Sequence, residues 1–187
     1  MNSRFSIIRA VHLALCGTLF LAGCPLRSGS DSPTAVAGIT VQGIQIGTTA
    51  CKTPPNIDTL VARVLELVNH EREQRGLHAL TLNPVLSKIA EDFGCEMIEG
   101  GFFDHTNPFT GDGPGQRAIN ADYLFLAIGE NLAAGQTTAE QVMSEWMAST
   151  EGHRENILAA QWQEIGIGVR TGGDFGVYWV QEFGNPP

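Results

Sequence analysis

The sequence predicts an α+β domain in which helices pack on a small antiparallel sheet. Three observations carry that expectation. Apolar residues recur at helical spacing in separate stretches between Leu60 and Trp146. The period then changes to two, in Ile165, Ile167 and Val169, and again in the aromatic and β-branched run from Phe175 to Phe183. A further short run, Ile128 to Ala133, supplies a third strand. Strands collected late, after and between helices, do not read as alternating βαβ units.

The elements follow in order. Leu60, Val61, Val64, Leu65 and Val68 define the first helix, which Asn56 or Asp58 caps and Gly76 stops. A second helix opens at Asn83-Pro84, a cap followed by a first-turn proline, and places Leu86, Ile89, Ala90, Phe93 and Met97 on one face. Residues 100–116 hold five glycines and two prolines and are expected to be irregular, with a short helix over Gly115–Ala121. In Thr137-Thr138-Ala139-Glu140, a threonine followed by a glutamate three residues later reads as a capping box for the third long helix. That helix turns Val142, Met143 and Trp146 to the core. Thr171-Gly172-Gly173-Asp174 is the expected turn of the closing hairpin.

Residues 1–23 read as a signal peptide. Arg4 and Arg9 precede an apolar run from Ala10 to Ala22 that is too short to span a bilayer. The run ends in Leu21-Ala22-Gly23-Cys24, which resembles the lipobox of bacterial lipoproteins, so Cys24 is the expected lipidation site. Residues 24–50 follow as a lipidated cysteine and a Ser/Gly/Pro/Thr-rich tether. Its r.m.s. reach is ~25–30 Å, and residues 51–187 form one domain. Pro25, rather than an acid, follows the cysteine and favours outer-membrane sorting where a cell has two membranes. The chain is thus expected to be exported and anchored to the cell envelope through lipid, otherwise on the extracellular face of a plasma membrane. Without residues 1–23, nine basic residues face 20 acidic ones, a formal charge of −11. That balance argues against nucleic acid and against an electrostatic grip on anionic lipid. Cys51 and Cys95 remain as thiols, expected to pair as one disulfide in an oxidising compartment, with two buried free thiols as the alternative.

The chemistry is concentrated in His105, Glu130 and His153, each in a loop-like or glycine-flanked context. Two imidazoles and a carboxylate make a reasonable open zinc shell completed by water. Each residue also has a plainer role open to it. His153 can bond a loop carbonyl, Glu130 can bind backbone amides, and His105 can cap its loop. His70 sits on a solvated helical face, and Arg154 is expected to pair with an acid or loop carbonyls. Ser149 beside His153 invites a nucleophile–base reading, but no glycine-flanked elbow presents the serine.

Several motifs occur in one order: Leu67-Val68-Asn69 with Arg72, Gly76-Leu77, Phe103-x-His105 and Gly129-Glu130-Asn131. They continue with Trp146-Met147, Gly152-His153-Arg154-x-Asn156-Ile157-Leu158, Gly166-x-Gly168 and Tyr178-Trp179-Val180-Gln181-x-Phe183-Gly184. Together they resemble the CAP superfamily of cysteine-rich secretory, antigen 5 and pathogenesis-related 1 proteins, in its bacterial branch, over roughly residues 57–184. The resemblance implies an α-β-α sandwich with a three-stranded antiparallel sheet and a cleft of two histidines and two acids that holds a divalent metal. His105, Glu130 and His153 take three of those places. Ser149 stands where eukaryotic members carry the remaining acid, and a loop one residue longer than expected brings Glu151 near the cleft. Glu145, on another face of the helix, is not counted among the cleft residues.

The expected function is that of a monomeric, non-enzymatic binding module for a lipid, sterol or protein ligand, with a cleft able to take a metal such as zinc. A metal-dependent hydrolase or protease using His105, Glu130 and His153 is the alternative from another class. A structural envelope protein with a vestigial cleft is the third reading. No HExxH helix supports the hydrolase.

Overall fold

The computed structural model describes residues 50–187, so the expectations for the signal peptide, for Cys24 and for the tether up to residue 49 lie outside the described residues. Among the described residues, no helix is long and apolar enough to cross a membrane.

Helix α1 (Ile57–Glu73) buries Val64, Val68 and Arg72. Asn56 precedes it without a side-chain cap bond, and Gly76 (φ +69°) ends the turn that follows. A two-residue strand, β1 (Thr81–Leu82), leads into α2 (Pro84–Gly100). The Asn83 side chain accepts from the amides of Val85 and Leu86 at 2.8 and 3.2 Å, satisfying donors the helix leaves open. The full expected face of α2 is buried. Helix α3 (Pro114–Asn120) and strand β2 (Ala127–Ala134) follow, then α4 (Ala139–Ala148) and a single turn of helix, α5 (His153–Ile157). The hairpin of β3 (Glu164–Gly172) and β4 (Gly176–Asn185) closes the chain, with Phe175 at its tip rather than in the strand.

The sheet has four strands in the order β1-β3-β4-β2. This corrects the expectation of three. The antiparallel β3-β4-β2 core is as read, but Thr81–Leu82 pairs in parallel with Glu164–Ile165. Two residues carry no alternation that could have announced the strand. The capping box also shifts by one. Thr138 is the cap, accepting from the Gln141 amide at 3.2 Å, while the Gln141 side chain accepts from the Thr137 amide at 3.0 Å. Glu140 instead faces Arg63 of α1 at 2.8 Å.

Helices lie on both faces of the sheet, making an α-β-α sandwich. On one face Ala133, Ile165, Ile167, Val169, Trp179 and Phe183 pack with α1, α4 and α5. On the other, Leu132, Tyr178 and Val180 pack on Ala90, Phe93 and Met97 of α2. Gly166 and Gly168 explain how closely α2 approaches. A Cβ on Gly166 would lie 2.1 Å from the Leu86 carbonyl carbon, and one on Gly168 would lie 2.4 Å from that of Ala90. The helix backbone rests where those side chains would be. The domain's start is fixed to the same layer by the Cys51–Cys95 disulfide (Cα–Cα 5.1 Å) and by the bridge of Lys52 to Thr171. Closing so long a loop restricts the unfolded chain and typically stabilises by about 2–4 kcal/mol.

Gly168→Ala should therefore destabilise by about 3 kcal/mol, the upper end of ordinary overpacking, because backbone rather than a flexible side chain blocks the new methyl. Urea unfolding reads the loss as a lowered midpoint at unchanged slope.

Candidate functional site

The cleft straddles the free edge of β2. From the α2 side comes His105, in the irregular segment between α2 and α3. From the α4 side comes His153, the first residue of α5. Glu130 stands on the strand between them. All three line one cavity of about 370 Å³, with Asn131, Glu151 and Asn156.

Glu130 is a buried pivot, its side chain 1% exposed. One carboxylate oxygen accepts from His105 Nδ1 at 2.6 Å, and the other accepts from Arg117 Nη2. Arg117 stacks on the Phe93 ring, 3.4 Å from its centroid, and also donates to the carbonyls of His105 and Asp112 at 3.1 and 3.0 Å. One guanidinium thus fixes both Glu130 and the loop that carries His105. Directly across the strand pair from Glu130 lies Glu182, fully buried. Its carboxyl has Arg117 Nη2 at 3.6 Å and makes no hydrogen bond among the described residues. Burial first, then the nearby Glu130 carboxylate, pushes Glu182 well above the usual carboxylate range, toward the protonated form.

The two histidines are held differently. The hydrogen bond to Glu130 raises His105, favouring imidazolium. Burial, and then His105 itself, lowers His153. His153 Nδ1 lies 3.0 Å from Ser149 Oγ, which also accepts the Glu151 amide at 3.0 Å. Both rings therefore engage the protein through Nδ1. Glu151 lines the cleft as an exposed residue. Asn131 and Asn156 brace this side: Asn131 donates to the His153 carbonyl at 3.0 Å, and Asn156 donates to Glu130 O and Asn131 Oδ1 at 3.1 and 3.0 Å. Gly129 leaves room for this, since a Cβ there would meet Asn156 Oδ1 and Trp162 at 2.8 Å.

His105, Glu130 and His153 share the cleft, but among the described residues no three His, Cys, Asp or Glu side chains are disposed to hold one metal ion. Glu130 already has both oxygens bonded, to His105 and to Arg117. Its place is that of the carboxylate that orients a histidine from behind. Arg154 is exposed and, among the described residues, its side chain makes neither an ion pair nor a hydrogen bond to a loop carbonyl, contrary to expectation. Ser149 does meet His153, and its Oγ also accepts the Glu151 amide in the turn that enters α5.

A second cavity of about 320 Å³ adjoins the first along the same edge and shares His153. Leu132, Trp146, Phe103 and Phe175 form most of it, with Glu145 and Ser149 at its polar side. Glu145, set aside on helical geometry, belongs here: α4 turns it beside Trp146 toward the hairpin tip. Phe103 and Phe175 pack at 5.7 Å between centroids and remain 42% and 53% exposed.

This fold and cleft define the class of protein. The chain belongs to the cysteine-rich secretory protein family, CAP, whose pattern it matches over residues 65–183. It is 36% identical over 135 residues to the Bacillus subtilis protein YkwD, covering 72% of this chain and 51% of that one. The chain thus spans about half the length of that relative. An outer surface protein of Borrelia burgdorferi is 25% identical with a TM-score of 0.61, over 73% of this chain and 96% of that one. An extracellular SCP-domain protein of Bacillus anthracis is 24% identical with a TM-score of 0.62, over 72% and 44% of the two chains.

The opposed shifts of the two histidines are measurable. In an NMR titration His105 should lose its proton above the ordinary histidine value and His153 below it, and Glu130→Gln should bring His105 back down. The His105–Glu130 pair stabilises the fold fully below the unfolded histidine pKa, and that contribution fades as pH rises through the raised folded value. His153 acts with the opposite sign, its contribution fading as pH falls. Coincident titration of the two rings would contradict this arrangement.

Proposed function

We propose that this protein is an exported, lipid-anchored binding module whose ligand places an apolar part in the Phe103/Phe175 cavity and a polar part beside His153. The observation that carries this reading is the shared wall. One cavity is aromatic and open, its neighbour is polar and bears both histidines, and His153 lines both. A space of about 320 Å³ with few convergent polar groups has the size and character of a small-ligand site. Two exposed phenylalanines packed against each other at its mouth are otherwise a cost in water. A lipid-type ligand or an apolar side chain of a protein partner meets this chemistry.

Export fits the disulfide and the extracellular and outer-surface descriptions of two structural relatives. The anchor rests on the Leu21-Ala22-Gly23-Cys24 sequence. A divalent cation such as zinc would be held by His105 and His153 through Nε2, the nitrogen each ring keeps when Nδ1 is engaged, with Glu130 and Ser149 orienting the rings. Bound there, it would supply a Lewis acid able to polarise a carbonyl, which is the hydrolase alternative. Glu130 would hold His105 in place, and the buried Arg117 would keep Glu130 from turning toward the cleft.

Titration of the full chain with octan-1-ol, followed by Trp fluorescence, tests the cavity. Phe103→Ser and Phe175→Ser should each weaken binding roughly three- to tenfold, the loss expected when roughly half an aromatic contact of ~1.5–3 kcal/mol is removed. Unchanged affinity in both variants counts against the reading. Metabolic labelling with a palmitate analogue checks the anchor. It should tag the wild-type chain and leave Cys24→Ala unlabelled.

A further inference from the structure

We infer that the ligand of the Phe103/Phe175 cavity carries a positive charge: an organic ammonium group on an apolar body, taken up as a free small molecule. This deepens the binding reading above and rests on it. The lining is aromatic and anionic together. Phe103 and Phe175 supply exposed ring surface, the buried Trp146 completes the aromatic lining, and Glu145 supplies a carboxylate. Among the described residues, no lysine or arginine lines this cavity. Aromatic faces attract cations through their quadrupole, by about 0.5–2 kcal/mol each depending on how far the cation is desolvated, and give an anion no comparable contact.

The groups that make this set are held in place. The Trp146 indole donates to the Leu132 carbonyl at 3.1 Å, which fixes the ring against the strand edge. Glu145 receives a hydrogen bond at Oε2 from Gln136, leaving Oε1 for a ligand. Gln136 is itself held, its carbonyl accepting from Trp179 Nε1 at 2.9 Å. Phe175 sits at the tip of the β3–β4 turn, braced edge-on against Phe103 and Tyr178 at 5.7 Å from each. The other polar group in the lining is the Ser149–His153 pair, joined through His153 Nδ1 at 3.0 Å. Nothing at this site offers a fixed positive charge to an anionic head group, while one carboxylate shares the lining with two exposed aromatic rings. The formal charge of −9 over the whole chain acts in the same direction at longer range.

The experiment compares three eight-carbon probes on the full chain by calorimetry at low ionic strength: octyltrimethylammonium, octan-1-ol and octanoate. The cation should bind at least tenfold more tightly than the alcohol, and octanoate should bind most weakly. Glu145→Gln should erase the advantage of the cation, and an unchanged urea midpoint shows that the variant is folded. Equal binding of the three probes overturns the inference and leaves the apolar cavity standing. Failure of all three to bind removes both. Phosphatidylcholine vesicles form the last arm. Glu145-dependent sedimentation with vesicles, without binding of free octyltrimethylammonium, overturns the inference in favour of a bilayer head group.

Discussion

The cleft depends on a single buried guanidinium far from it in sequence. Arg72 is fully buried in α1 and, among the described residues, has no carboxylate partner. It donates instead to backbone carbonyls: His78 at 3.0 Å, Ile157 at 2.7 Å, Ala159 at 2.9 Å and, more weakly, Trp162 at 3.5 Å. Burial lowers its pKa without providing a counter-ion. Hydrogen bonds to a charged donor contribute about 1.5–3 kcal/mol each, so the cluster offsets a desolvation that would otherwise be prohibitive. Three of these four carbonyls belong to the end of α5 and the segment after it. The turn that begins with His153 therefore has its far end fastened to α1. Three residues earlier, Asn69 clamps Leu80 through both its amide and its carbonyl, so one face of α1 organises both flanking loops.

A second buried cation performs the matching task on the other layer. Arg117 is bonded to Glu130, lies near Glu182 and stacks on Phe93, and it fixes the His105 loop through that loop's carbonyl. Arg72 gathers neutral carbonyls, whereas Arg117 stands between two carboxyl groups. Three charged forms in so small a buried space would leave a net negative charge, and the rise of Glu182 toward its neutral form relieves it. Truncating a partner in such a buried set is generally far costlier than removing a surface pair.

Much of this was legible in the residues. The buried faces of α1, α2 and α4, the late hairpin and the three cleft residues all follow from spacing and motif order. Other features were not, and the reasons are local. β1 is two residues long and α5 a single turn, so neither shows a period. The cap of α4 moved by one residue because Gln141 competes with Glu140 for the role, and Arg63 captures Glu140. Arg117 had no sequence context that set it apart from a solvated helix residue. Glu182 did leave a signal: an acid inside an otherwise aromatic and apolar strand is the kind of exception that asks for a buried partner. Glu145 lies outside the histidine cleft, as its helical face implied, but its place in the neighbouring cavity is not legible from α4 alone. The hairpin tip, which brings Phe175 to it, is a tertiary fact.

The close seating of α2 on Gly166 and Gly168 has a consequence for how this cleft can change. His105 belongs to the layer seated on those glycines and His153 to the opposite layer, with only the rim of β2 between them. The gap between the two rings is therefore a gauge of the sandwich's thickness. A methylene gained or lost deep in either core would reset that gap by fractions of an ångström without touching any residue that lines it. Descendants of such a fold can shift the aperture of the cleft through interior substitutions that a search of the cleft itself would never find.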